Sequence, residues 1–225
     1  MKKFICGKNS VIDSLKNNLP ISLVYTTNHK LHLEFPNFKI KLVTNEFLNQ
    51  LTTENHQGYV AQILDIKFYD LNTIIKDKAK EVIILDHIQD PHNFGAIIRT
   101  ANANGIKHII FPKDRSVDVT PTVLKVSSGG FVNMKFIKVT SIVSTILKLK
   151  KNNYWVYGTS LTKKSKNIND VLFNKPLAII FGSEGNGLTK AVERVCDELV
   201  YIPMKGTVQS LNISVAVGIV LFKIN

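Results

Sequence analysis

The chain has 225 residues, of which 44% are hydrophobic and 20% charged; two cysteines, Cys6 and Cys196, lie far apart, and the formal net charge is +12. This composition excludes a disordered chain, a collagen-like repeat and a disulfide-stapled miniprotein, because enough apolar side chain is present to bury a core without covalent help. The basic surplus is spread along the chain, with 11 basic and 7 acidic groups in residues 1–80 and 18 and 10 in residues 81–225. It favours an anionic partner through counterion release, with a merely lysine-rich composition as the other reading.

The opening Met1 to Cys6 imitates the start of a signal peptide, but Gly7, Lys8 and Asn9 end the apolar run at once. No stretch approaches the roughly 18 apolar residues of a bilayer span. The sequence therefore reads as a soluble cytoplasmic chain with no membrane partner. Ser10 is placed to cap a short helix carrying Val11, Ile12 and Leu15 on one face. Ile21 to Thr26 and Ile40 to Val43 read as strands, Phe47, Leu48 and Leu51 as a helix face, and Tyr59 to Leu64 as a further strand after Gly58. Residues 1–66 thus form a compact α/β module. Residues 67–80 turn polar and lysine-rich and read as a linker. From Glu81 the pattern is strand, loop, helix, repeated. Strands are expected at Val82 to Leu85, His108 to Phe111, Tyr154 to Gly158, Leu177 to Phe181 and Leu199 to Ile202. Helices are expected near 121–127, 141–152, 188–196 and 212–224, with a further one capped by Asn93 and stopped by Gly105. The alternation predicts a mostly parallel sheet covered on both faces, and ligands belong beyond the carboxyl ends of its strands.

Three loops there could carry chemistry. The segment 182–188 (Gly182-Ser183-Glu184-Gly185-Asn186-Gly187-Leu188) follows a buried strand, and its glycines allow backbone amides to approach a ligand. Its G-x-x-G-x-G order is neither a dinucleotide nor an NTPase fingerprint, and a tight structural turn is the alternative. The segment from Asp86 to Asn93 holds two histidines and two aspartates, yet Pro91 interrupts it and no zinc or calcium spacing appears, so no metal is expected. It leads into a helix bearing Arg99, one of three arginines among many lysines. Lysine cannot supply the planar fork of an arginine, which suits a phosphate or a developing oxyanion. A snorkelling or ion-paired arginine is the alternative. The third segment, Ile202-Pro203-Met204 and then Ser210-Leu211-Asn212-Ile213-Ser214, opens the last helix, where capping alone would explain Ser210 and Asn212.

Taken in order, Asn93-Phe94-Gly95-Ala96 with Arg99, the loop 182–188, and the segments at 202–204 and 210–214 resemble the three signature motifs of the SpoU (TrmH-type) RNA 2′-O-ribose methyltransferases. Pro112-Lys113-Asp114-Arg115-Ser116 resembles the subgroup acting on a guanosine of 23S rRNA. The first 66 residues, including His56-Gln57-Gly58, are similar to that family's L30e-like RNA substrate-binding domain. The resemblance implies a SPOUT-type parallel sheet with a carboxyl-terminal trefoil knot over residues 81–225, a homodimer, and S-adenosylmethionine as cofactor. Carried over by position, Gly182, Ile202 and Leu211 contact the cofactor. Arg99 orients the ribose and stabilises the forming alkoxide, with Asn93, Glu184, Ser210 and Asn212 holding it and the RNA; Glu184 as general base is a second option. The implied partner is structured RNA, rRNA ahead of tRNA, with no DNA. A tRNA ribose methyltransferase and a non-catalytic RNA-binding or ribosome-assembly protein are the competing readings.

Overall fold

The computed structural model describes residues 3–17, 19–64, 66–183, 185, 187–208 and 210–224, and the chain divides into two compact units, 1–66 and 67–225. The first unit runs β1 (Lys3–Cys6), α1 (Lys8–Lys16), β2 (Ile21–Thr26), α2 (Leu31–Glu34), β3 (Ile40–Leu42), α3 (Asn45–Leu51) and β4 (Tyr59–Ile63). Its four strands are ordered β1-β4-β2-β3, and only β2 and β3 run parallel. Alternation along the strands feeds two small cores. Val24 and Ala61 meet Val11 and Leu15 of α1 on one face, while Tyr25 and Val60 meet Leu48 of α3 on the other. Ser10 does not cap α1. The helix begins earlier, after Gly7 at φ 93°, a backbone angle that favours glycine. The His56-Gln57-Gly58 turn closes onto that helix, the Gln57 side-chain oxygen accepting from the Lys8 amide at 3.1 Å.

The second unit begins inside the segment expected to be a linker. Residues 67–80 form β5 (Phe68–Tyr69) and α4 (Asn72–Lys76), and Ile74 is fully buried. Lys67 of this stretch and Lys138 from outside it lie over its two aromatic rings. The Lys67 Nζ sits 4.8 Å from the centre of Tyr69, and Lys138 Nζ 4.1 Å from that of Phe68. Long basic side chains can cover apolar surface while their charges stay wet, so polarity alone did not make this stretch a linker.

There follow β6 (Glu81–Leu85), α5 (Pro91–Ala103), β7 (His108–Pro112), α6 (Pro121–Val126), β8 (Lys135–Val139), α7 (Ile142–Lys151), β9 (Trp155–Thr159), β10 (Lys166–Asn167), a 3-10 turn at Ile168–Asp170, β11 (Leu177–Phe181), α8 (Lys190–Val195), β12 (Glu198–Tyr201) and α9 (Ile213–Ile224). The sheet order is β10-β12-β9-β11-β6-β7-β8-β5, with parallel pairing throughout. Central strands β6, β7 and β11 are continuous apolar runs because both faces are covered. Val82, Ile84, Ile110 and Ile180 pack with Ile142, Ile146 and Leu149 of α7. On the opposite face Phe94 of α5 meets Phe111 and Phe136 edge-on, at ring separations of 5.1 and 6.4 Å. Each such buried side chain contributes about 1.5–3 kcal/mol. No helix among the described residues is long and apolar enough to cross a membrane.

Candidate active site at the carboxyl ends of the strands

The loops leaving β9, β11 and β12, together with the start of α9, enclose a recess of about 700 Å³. Gly182, Ile202 and Leu211, the expected cofactor contacts, all line it, as do Ser210 and Asn212. Its floor and walls are largely apolar, from Phe181, Leu188, Ile213 and Val220, with hydroxyls at Thr159, Ser160 and Thr162. Volume and lining suit a ligand the size of an adenosyl group, whose ring prefers apolar walls and a few hydrogen-bonding partners. No lysine or arginine is among the described lining residues, so nothing cationic there would oppose a sulfonium.

The glycine loop is both a tight turn and a wall. Ser183 and Gly187 exchange two backbone hydrogen bonds, at 3.2 and 2.9 Å, while Gly185 and Gly187 sit at φ 82° and 63°. A Cβ added to Gly182 would lie 2.1 Å from the Gly187 carbonyl carbon, so only glycine permits the chain to fold back there. Glu184 falls outside the described residues.

Asn93 and Asn212, 119 positions apart, meet across the top of the sheet: Asn212 Nδ2 donates to Asn93 Oδ1 at 3.0 Å. Asn212 also caps α9, its Oδ1 accepting from the Ser214 amide at 2.9 Å. Capping and site-building, alternatives in the sequence, are thus the two ends of one side chain. Asn93 is not the cap of α5. Asp90 takes that place, accepting from the amides of His92 and Asn93 at 3.0 and 3.3 Å, and leaves the buried Asn93 side chain for Asn212. Gly95 has a packing role, since a Cβ there would lie 2.6 Å from Val126 Cβ of α6.

Arg99 is not gathered with these residues. It lies on the exposed face of α5, lines neither this recess nor the next, and makes no hydrogen bond or ion pair among the described residues. The expectation that Asn93, Ser210 and Asn212 hold it within one chain does not match the geometry, because Asn93 and Arg99 project from different sides of the helix.

A second recess, of about 770 Å³, opens on the far side of the glycine loop, sharing Ser183 and Gly187 with the first and adding Asp86, His87, Asn93 and Arg115. Sequence reasoning missed His87 and Arg115 as its walls. It also missed the loop after β9 (Thr159 to Thr162) and Glu193, whose carboxylate accepts from Ser160 Oγ. Applying the carboxyl-end rule to every parallel strand would have found the β9 loop; nothing local marks Glu193. Burial pushes the Cys196 thiol up to about 12, so it is no nucleophile at neutral pH.

A parallel α/β sheet with a glycine-walled recess at its strand ends defines the class of α/β proteins that bind a small ligand at that edge. The comparisons narrow that class. Residues 80–222 match the SpoU rRNA Methylase family and residues 4–68 match the family described as RNA 2′-O ribose methyltransferase substrate binding. The 23S rRNA (guanosine-2′-O-)-methyltransferase RlmB of Coxiella burnetii is 40% identical over 83% of this chain and 76% of its own length. YacO of Bacillus subtilis, named as a TrmH family tRNA/rRNA methyltransferase, is 33% identical over 98% of this chain and 94% of its own. The AdoMet-bound rRNA methyltransferase of Sinorhizobium meliloti shares the fold, with a TM-score of 0.73 at 23% identity over 99% of this chain and 86% of that one. The chain belongs to the SpoU rRNA methylase family.

Proposed function

We propose that the protein transfers a methyl group from S-adenosylmethionine to a ribose 2′-hydroxyl of RNA, on a guanosine of 23S rRNA. The observation that carries this reading is the Asn93–Asn212 hydrogen bond, which joins the first and third motifs at the mouth of the glycine-walled recess. The name of the Coxiella burnetii relative supports the guanosine and the 23S rRNA; that of YacO keeps tRNA as a second substrate to test.

In this reading Gly182, Ile202 and Leu211 hold the cofactor, which supplies a methyl already activated on a positive sulfur. The protein's remaining task is to place the ribose oxygen in line and ease the loss of its proton. Asn93 and Asn212 position the sugar, and Ser210 presents a hydroxyl beside them. Arg99 orients the ribose and stabilises the forming alkoxide, a role that suits a guanidinium better than that of a base. Glu184 keeps its two proposed roles, holding the RNA or taking the proton. The family's trefoil knot, the L30e-like module as RNA-binding domain and a cytoplasmic setting complete the proposal.

A homodimer belongs to it as well. Val215, Ile219 and Phe222 are 50%, 42% and 62% exposed and recur along one side of α9, an apolar stripe that a second copy would cover. Arg99 lies on α5, which packs against α9, so a dimer through this side would bring the arginine near the partner chain. The test is incubation with labelled S-adenosylmethionine and either 23S rRNA or tRNA transcripts, followed by mapping of the modified ribose. The reading expects one 2′-O-methylguanosine in 23S rRNA; label in neither RNA would overturn it.

A further inference from the structure

The second recess lies between loops that leave three adjacent strands, β11, β6 and β7, and two of its polar walls hold left-handed backbone conformations without being glycine. These are His87 at φ 61° and Arg115 at φ 51°. Side chains with a Cβ disfavour that region, and they stay in it where surrounding structure holds them, often around a ligand. Here the holding bonds are visible. The Ile88 carbonyl accepts from Ser116 Oγ at 3.0 Å and from the Val117 amide at 2.8 Å, which ties the loop of Arg115 to the loop of His87.

The groups so fixed have a definite hydrogen-bonding sense. His87 Nδ1 lies 2.6 Å from Oδ1 of Asp86, a carboxylate only 2% exposed. An ionised carboxylate only accepts, so Nδ1 donates to it, and in the neutral form of the ring Nε2 is left as an acceptor. The other Asp86 oxygen, Oδ2, has no partner among the described residues, an uncommon condition for a buried carboxylate. Arg115 is exposed and has no hydrogen bond or ion pair among the described residues, so its fork of donors is unused. Asp86 and Asp90 in the same wall disfavour a phosphate as the occupant.

We propose that this recess seats the base of the target nucleotide, and that His87 and Arg115 read that base as guanine. Guanine offers N–H donors at N1 and N2 and acceptors at O6 and N7. The His87 Nε2 accepts from the N2 amine on the first edge, and the Arg115 fork donates to the second. Adenine has no N2 amine, and its own amino group would confront the arginine where guanine places O6. Cytosine and uracil lack the paired O6 and N7. The placement follows from Asn93, which lines this recess and bonds to Asn212 on the rim of the other. A ribose held at that pair has its hydroxyl beside the cofactor recess and its base directed to the second. The inference rests on the proposed methylation of a guanosine in RNA and assigns the residues that choose the base.

The test uses the full chain and, once the modified position is mapped, RNA fragments carrying guanosine, inosine, 7-deazaguanosine or adenosine there. Two variants are compared with the parent: Arg115→Ala, at an exposed position, and His87→Gly, which removes the imidazole while suiting the left-handed backbone. The preference of kcat/KM for guanosine over adenosine is expected to fall about tenfold or more in each. Loss of N7 should penalise the parent but not Arg115→Ala, and loss of the N2 amine should penalise the parent but not His87→Gly. Calorimetric affinity for S-adenosylmethionine should stay within about twofold in both, which separates a lost contact from a lost fold. If the parent methylates guanosine and both variants keep its full discrimination among the four bases, the assignment is wrong. If the parent methylates no guanosine at all, the proposed function itself fails.

Discussion

The two ends of the eight-stranded sheet are made from the same strands and treat their polar side chains in opposite ways. At the amino ends, charged groups close on one another. Asp77 accepts from His108 Nε2 at 2.7 Å and also from Lys135, Lys175 meets Glu81 at 2.6 Å, and Lys150 meets Asp197 at 2.7 Å. A recess of about 580 Å³ opens there too, but its Asp77, His108 and Lys135 are already engaged with one another. At the carboxyl ends Lys138 and Asp118 do pair, yet Asp86 keeps one oxygen unmatched and Arg115 stands without a side-chain partner among the described residues, as does Arg99 further along α5. Cavity size therefore does not separate a structural end from a functional one. Polar satisfaction does: a group completed by its neighbours has its structural role, while one held incomplete lowers stability until a ligand completes it.

The largest effect that would break this contrast lies at Arg99. Arg99→Lys keeps the charge and loses the fork, so turnover should fall on the order of 10²-fold while affinity for S-adenosylmethionine is unchanged. Near-parental single-turnover rates would reduce Arg99 to a solvated surface group. Next comes Gly182→Ala, whose methyl must displace the Gly187 carbonyl. Overpacking of about 1–3 kcal/mol should appear as a tenfold or greater loss in calorimetric affinity for the cofactor. Unaltered binding would mean that the loop does not shape the recess. The Asn93–Asn212 bond is sharpened by a double-mutant cycle of Asn93→Ala and Asn212→Ala, read in kcat/KM for RNA. A coupling of about 1 kcal/mol is expected, and strict additivity would show that the two act separately.

The smallest effect belongs to the amino end and concerns stability rather than turnover. Burial holds the His108 pKa below its ordinary value, outweighing the opposing pull of Asp77, and Lys135 and Lys107 act in the same direction as burial. The unfolded histidine takes up a proton near pH 6.5, which the native one resists. The melting temperature should therefore fall as pH drops below about 6.5, and fall less in His108→Gln. Hydrogen bonds from Lys135 and His108 hold Asp77 below its usual range, so its own contribution disappears only at lower pH, as pH falls through that depressed value. An identical pH profile in the variant would show that burial of His108 does not set it.

Much of the frame was legible from pattern. The central strands were readable because burial on both faces demands unbroken apolar runs, and Gly105 was readable as a helix stop at φ 80°. Strand β8 was missed because Lys135 and Lys138 interrupt its apolar run, although Phe136, Ile137 and Val139 are buried. The stretch 67–80 was misread for a similar reason, its lysines masking a packed segment in which Ile74 is fully buried and Lys67 lies over Tyr69. In the site, the residues expected to hold the cofactor were implied by the family resemblance and line the first recess, whereas their hydrogen-bond partners could not be read from the loops. Asn93 looked like a cap because its type caps helices, and only the position of Asp90 shows that the task was already taken.

By itself the sequence determined the α/β class, the parallel sheet and the glycine turn, since each rests on short-range periodicity or local backbone chemistry, whereas Gly182, Ile202 and Leu211 as cofactor contacts were implied only by the family resemblance. Only the tertiary structure decided that Asn93 meets Asn212, that Arg99 stands apart from both, and that His87 and Arg115 face one recess. Those relations join positions separated by tens of residues, and they depend on which strands lie side by side in the sheet, information that no local run of residues contains.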